Sequence, residues 1–165
     1  MNETYATKVN QKLAFTRILK VQLSAENTPI LLHEASLEAM CFHLYSAFRL
    51  YLGEIAAQYN LPSGSHQSIS DLQAAFAAEG RQSPEVNELA ELEARNNSWL
   101  QQLQVSYQTI LVDVGKNSAP SVASGLGSIV ALELDSAALT SMGLDQWQLH
   151  FLELVTRQRE SMLEC

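Results

Sequence analysis

Cysteine and cations are scarce in this chain. The two cysteines, Cys41 and Cys165, are too far apart and too few for a disulfide framework or for zinc-ligand spacing. Ten Lys and Arg stand against eighteen Asp and Glu, a net charge of −8. A field of that sign repels phosphate backbones, so nucleic acid is not an expected partner. No apolar run approaches the roughly 18 residues needed to span a bilayer, so no membrane partner is expected either. The opening Met1-Asn2-Glu3-Thr4-Tyr5 has no signal-peptide apolar core, and a cytoplasmic location is the expectation. Repeats and low-complexity tracts are also lacking.

Catalytic grammar is equally sparse. Glu-x-x-His, the motif of di-iron helical bundles, does not occur; the last third holds only the reverse, His150-x-x-Glu153. His43 and Glu54 share a face elsewhere, and a metal site joining His43 to His150 across a bundle is the one enzymatic alternative, a metal-dependent hydrolase or oxidase. Neither Arg49 nor Arg95 is followed four to six residues later by the histidine that bundle-type ribonucleases use. Gly125-Leu126-Gly127 lacks a third glycine and a preceding strand, and Gly115-Lys116 lacks phosphate-loop spacing. Glu34 and Glu38, one turn apart, read as a solvated stripe beside Arg49. No catalytic, cofactor-binding or metal-ligating residue is assigned, and no cofactor is expected.

What the chain has in abundance is helix-packing signal. Ile30, Leu37, Cys41, Leu44, Phe48, Tyr51 and Ile55 step by sevens, fours and threes, the seam of a helix packed lengthwise against others. Glu34 interrupts it, weakening the first turns. Other faces carry Leu31, Leu32, Met40, Leu50 and Leu52, so this rod is expected to be surrounded by neighbours. Thr28-Pro29 reads as an N-cap with proline at the first helical position, and Asn60 to Gly64 as a stop. Ala39, Ser46, Gly53 and Ala57 would admit a close neighbour. Cys41, on the seam, is expected to be a small apolar packing residue. Arg49 on so apolar a rod needs a partner, expected among the glutamates of the fourth helix.

Around this rod the pattern predicts a first helix from Glu3 to Leu23, capped by Asn2 and burying Tyr5, Val9, Leu13, Phe15, Ile18 and Leu19. Ser70-Asp71-Leu72-Gln73 predicts a short helix to Ala78, closed by Gly80. Ser83-Pro84-Glu85 starts a long helix to Leu111 whose seam, Val86, Leu89, Leu92, Trp99, Leu103 and Ile110, is interrupted by Asn96. From Asp113 to Leu144 glycine, serine and proline break helices; Ile129 to Leu132 is a short apolar run, and Ser136 to Met142 is expected to hold a helical turn. Asp145 with Gln148 caps a final helix to Leu163, with Leu144, Trp147, Phe151, Leu154, Val155 and Met162 inward. The expected architecture is all-α: a single domain over 1–165, a four-helix up-and-down bundle with a short connector helix and a long irregular segment, 113–143, before the last helix.

Asn10-Gln11-Lys12-Leu13, Phe42-His43-Leu44-Tyr45 and Ser98-Trp99-Leu100, with the Tyr59-Asn60-Leu61-Pro62 stop and the Ser83-Pro84-Glu85 start, resemble a family of small, functionally uncharacterised, all-helical proteins of gammaproteobacteria, a domain of unknown function. The resemblance runs to about Leu111. It implies a helical fold and a bacterial cytoplasmic setting, and carries over no catalytic residue. Packing chemistry without catalytic grammar points to a non-enzymatic protein acting through protein–protein interaction. The expected docking surfaces are the basic first helix, where Lys8, Lys12, Arg17 and Lys20 outweigh Glu3, and the segment from Gly115 to Gly143. The partner is a protein of unknown identity; a homodimer through the long helices is a further possibility, because heptad seams are readily self-complementary.

Overall fold

The computed structural model describes residues 4–24, 28–62, 66–116 and 139–163. These form six helices and, among the described residues, no strand: α1 (Tyr5–Leu23), α2 (Ile30–Gln58), α3 (Ile69–Ala78), α4 (Pro84–Ala94), α5 (Trp99–Lys116) and α6 (Ser141–Leu163).

The 29-residue α2 is the rod predicted from its seam, about 43 Å long at 1.5 Å per residue. Its buried residues begin at Ser36 and Leu37 and continue through Met40, Cys41, Leu44, Phe48, Tyr51, Leu52 and Ile55. Ile30, expected to open the seam, is exposed. No residue of the first turns is buried, as Glu34 falls where an apolar residue would continue the stripe. Pro29, not Thr28, takes the N-cap position, and no side chain caps it; the Thr28 hydroxyl donates instead to the Gln22 carbonyl at 3.4 Å. At the far end Asn60 turns left-handed (φ 53°), letting the Leu61 N–H reach the Ala56 carbonyl at 2.9 Å and stopping the helix as predicted.

α1 makes the most extensive packing against α2. Tyr5 lies across Gly53, where a Cβ would sit 2.5 Å from its ring; the close approach expected of the small residues is realised there. The cap is Thr4, accepting from the Thr7 N–H at 3.3 Å; the Asn2 expected to cap lies outside the described residues. Only Val9, Leu13 and Thr16 of α1 are buried. Tyr5, Phe15 and Ile18, predicted inward, remain exposed.

α3 opens two residues before the predicted cap. Ser68 and Asp71, not Ser70, form a capping box: the Ser68 Oγ accepts from the Asp71 N–H at 3.1 Å and the Asp71 carboxylate accepts from the Ser68 N–H at 3.0 Å. Gly80 (φ 64°) ends α3 as expected, with the Arg81 N–H on the Phe76 carbonyl at 2.9 Å.

The predicted helix from Ser83 to Leu111 is two helices. Asn97 adopts φ 60° and Ser98 recaps the chain, its Oγ accepting from the Gln101 N–H at 3.1 Å. Asn96 therefore marks a break and not a register-setting polar residue inside one helix. α5 continues to Lys116, past the predicted start of the irregular segment. Residues 117–138, including the apolar run Ile129–Leu132, lie outside the described residues. α6 starts four residues before Asp145, with the Thr140 hydroxyl accepting from the Gly143 N–H at 3.0 Å. Its predicted inward stripe is buried in full. Phe151 is the hub, its ring 5.7 Å from Trp99, 6.0 Å from Tyr51 and 6.5 Å from Phe48.

Candidate functional site

Three features could carry function: a polar network among α2, α4 and α6; the histidines with Cys41; and the outer face of the α1–α2 pair.

Among the described residues, the network is the largest gathering of titratable side chains joined by hydrogen bonds. The α4 cap, Ser83, donates its hydroxyl to Glu85 Oε2 at 2.7 Å, and Tyr59 donates to the same oxygen at 2.7 Å. Burial by itself would raise the Glu85 carboxyl, but its hydrogen bonds, those from Ser83 and Tyr59 foremost, together outweigh it and hold the group below its ordinary range. One turn on, Glu88 receives both Arg157 N–H donors, at 3.1 and 2.5 Å, and the Gln158 amide at 2.8 Å. Those donors, Arg157 foremost, hold Glu88 low as well. Gln158 also accepts the Tyr51 hydroxyl at 2.9 Å, and burial pushes that phenol far above its usual range. Arg159 grips Glu54 through two bonds, at 2.6 and 2.8 Å, and reaches Asn10 of α1 at 3.1 Å.

A general acid or base works best with a pKa near the operating pH. Here both glutamates with resolved shifts move away from neutrality, and Glu54, Glu85 and Glu88 each accept at least two hydrogen bonds. The arrangement locks α6 onto α1, α2 and α4. It was not foreseen; the available signals were Glu85 directly after Ser83-Pro84 and the run Arg157-Gln158-Arg159 near the end of the last helix.

The sequence-level metal candidates are not brought together. His43 sits between the rings of Phe15, at 5.2 Å, and Phe42, at 5.8 Å. Burial, reinforced by Lys12, lowers its pKa, and its Nδ1 is buried without a hydrogen-bond partner. His150 is exposed and lies 3.7 Å from Glu153. Glu54 is committed to Arg159. Among the described residues no three His, Cys, Asp or Glu side chains gather as a metal would require. Cys41 is buried, and desolvation pushes its thiol up to about 12, so it stays protonated and packs as a small apolar residue. Arg49, expected to pair with a helix-four glutamate, donates instead to the Gln67 amide oxygen just before α3. The open groove between α3 and α4, about 480 Å³, is lined in part by Arg81, which is itself held by the Tyr59 carbonyl at 2.9 Å and lies over the Tyr59 ring.

The outer face of α1 and α2 differs in kind. Phe15 (37% exposed), Ile18 (57%) and Val21 (72%) stand out from α1, and Leu31 (79%) and Phe42 (48%) from α2. Phe42 continues towards α5 through Tyr107, 6.2 Å away, whose ring stacks on Tyr45 at 4.0 Å. Of the basic residues expected to make α1 a docking surface, Lys20 is tied to Asp145 at 2.6 Å and Lys12 lies over Phe15. Arg17 stands exposed on the outside. The other expected docking surface, from Gly115 to Gly143, falls mostly outside the described residues.

A family model described as a family of unknown function (DUF6586) matches residues 1–165. No curated protein and no solved structure matches the chain.

Proposed function

The chain belongs to this family of unknown function, and on that premise we propose that it is a non-enzymatic helical protein that acts by binding protein through the outer face of α1 and α2. The observation that carries the reading is the apolar outer face itself: Ile18, Val21 and Leu31 are all more than half exposed, whereas the one large polar cluster is consumed by its own hydrogen bonds. A monomer that needed no partner would keep such side chains apart or cover them. The four rods, with α4 and α5 as halves of one, make a four-helix up-and-down bundle in this reading, folded as one domain over 1–165. Contacts of α1 with α6 at Asn10–Arg159 and Lys20–Asp145 support it. So do those of α5 with α6 at Trp99–Phe151 and Gln102–Trp147. A cytoplasmic site of action belongs to the same proposal.

The test is affinity capture from the native cell after cross-linking, with wild type and Ile18→Asp compared. Recovery of one protein near stoichiometric amount with wild type, lost in the variant, is the expected result. A stoichiometric transition metal in untagged protein, or equal recovery with both chains, would contradict it.

A further inference from the structure

We propose that the occupant of the α1–α2 face is a second copy of this chain, docked about a two-fold axis. The inference rests on the reading that this face binds protein, and it names the partner from the pattern of charge across the face.

Two contacts set the register of the hairpin. Tyr5 against Gly53 and Phe15 against His43 run α1 antiparallel to α2, which brings Ile18 level with Met40 and Arg17 level with Cys41. Val9, Leu13 and Thr16 point into the core, so the 100° step per residue turns Ile18 straight outward and Phe15 towards α2. On α2, Ala35, Ala39 and Phe42 flank α1, with Ala35 and Phe42 exposed and Ala39 half-buried. The result is an apolar strip with large side chains at its edges and alanines along its middle, where a second helix can approach closely.

The strip has charged margins of opposite sign. Arg17 is exposed along the α1 margin, on the side away from α2. Glu38, one turn before Phe42, and Glu34, a turn earlier, are exposed along the α2 margin. A two-fold axis lying in the plane of contact, parallel to α1 and α2 and midway between them, exchanges the two margins. It sets Arg17 of one copy beside the α2 margin of the other, about 4.5 Å along the helix from the level of the partner's Glu38, and Glu38 likewise beside the partner's Arg17. The same operation lays apolar strip on apolar strip. Such a patch is self-complementary in shape and in charge, the requirement of an isologous interface. The exposed apolar side chains supply several hundred Å² per copy, the order of the roughly 800 Å² each partner gives to a standard interface.

The test is sedimentation equilibrium on the full chain over a broad concentration range. The expected result is a reversible species of twice the 18.2 kDa chain mass. Ile18→Asp, a change at an exposed position that leaves the core intact, is expected to weaken self-association by about thirtyfold or more, with unchanged helical content by circular dichroism. The charge pattern has its own test. Arg17→Glu makes both margins acidic, and Glu34→Lys with Glu38→Lys makes both basic. Each variant alone is expected to be a monomer, and an equimolar mixture to form the heterodimer. Wild-type protein that stays monomeric throughout overturns the proposal, as does a dimer that Ile18→Asp leaves intact or a mixture of charge variants that fails to associate. A monomer that still captures one cellular protein through Ile18 would overturn self-association alone and leave the protein-binding reading standing.

Discussion

Single residues in this protein divide into those that lock helices and those left facing water. Arg159 and Glu54 illustrate the first group: two parallel bonds join them, and Asn10 takes a further guanidinium N–H. Glu54→Ala should leave a half-buried guanidinium without its anion and cost about 2 kcal/mol of stability, read by urea denaturation. Replacing both partners with Met should recover most of that loss, because the uncompensated charge disappears with its partner. The pH dependence follows from shifts of known direction. Glu85 and Glu88 are lowered on folding, so their contribution is full above the ordinary glutamate value near 4.3 and is lost as pH falls through their lower folded values. His43 is also lowered, which means the unfolded chain binds its proton first. Stability should therefore already decline as pH drops below about 6.5, before the glutamates titrate. Thermal melts of wild type and His43→Leu from about pH 2.5 to about pH 7.5 separate the two steps: the variant should lose the upper one and keep the acid limb.

Elements were legible where one periodic stripe had one partner. α2 and α6 came through because their buried stripes follow helical spacing over many turns, and all six inward residues of α6 lie where spacing placed them. α1 did not. Apolar residues stand on two of its sides, and periodicity cannot say which side the core takes; Val9, Leu13 and Thr16 won, leaving Phe15 and Ile18 outside. The break between α4 and α5 was hidden by a seam of apolar residues that continues in the sequence across it. Its signal was the triplet Asn96-Asn97-Ser98, in which Asn97 tolerates the left-handed turn and Ser98 recaps. Asn97→Ala should accordingly cost about 1 kcal/mol through the strained φ, whereas Asn97→Gly should be close to neutral, both read from denaturant midpoints. Losing the Ser98 hydroxyl by Ser98→Ala should cost a further amount of about 1 kcal/mol.

At the scale of the molecule, the candidate site was only half visible in the sequence. The basic character of α1 drew attention to the helix that carries the proposed face, but for a secondary reason: Lys20 is bound to Asp145 and Lys12 to the Phe15 ring, and what distinguishes the face is its exposed apolar strip. The conjectured histidine pair is not brought together: His43 is wedged between aromatic rings, and His150 is exposed beside Glu153. Side chains from four helices converge in the polar network, yet their mutual bonds use the donors and acceptors that chemistry would need. Function in this account therefore lies on the outside of the α1–α2 pair. The most direct measurement is a photo-crosslinking amino acid placed at Ile18 in the living cell, with the same probe at Leu149, an exposed α6 position, as the comparison. The account expects position 18 to give one dominant covalent adduct, to this chain or to a single other protein, and position 149 to give little. Adducts absent at position 18, or equal at both positions, would contradict it.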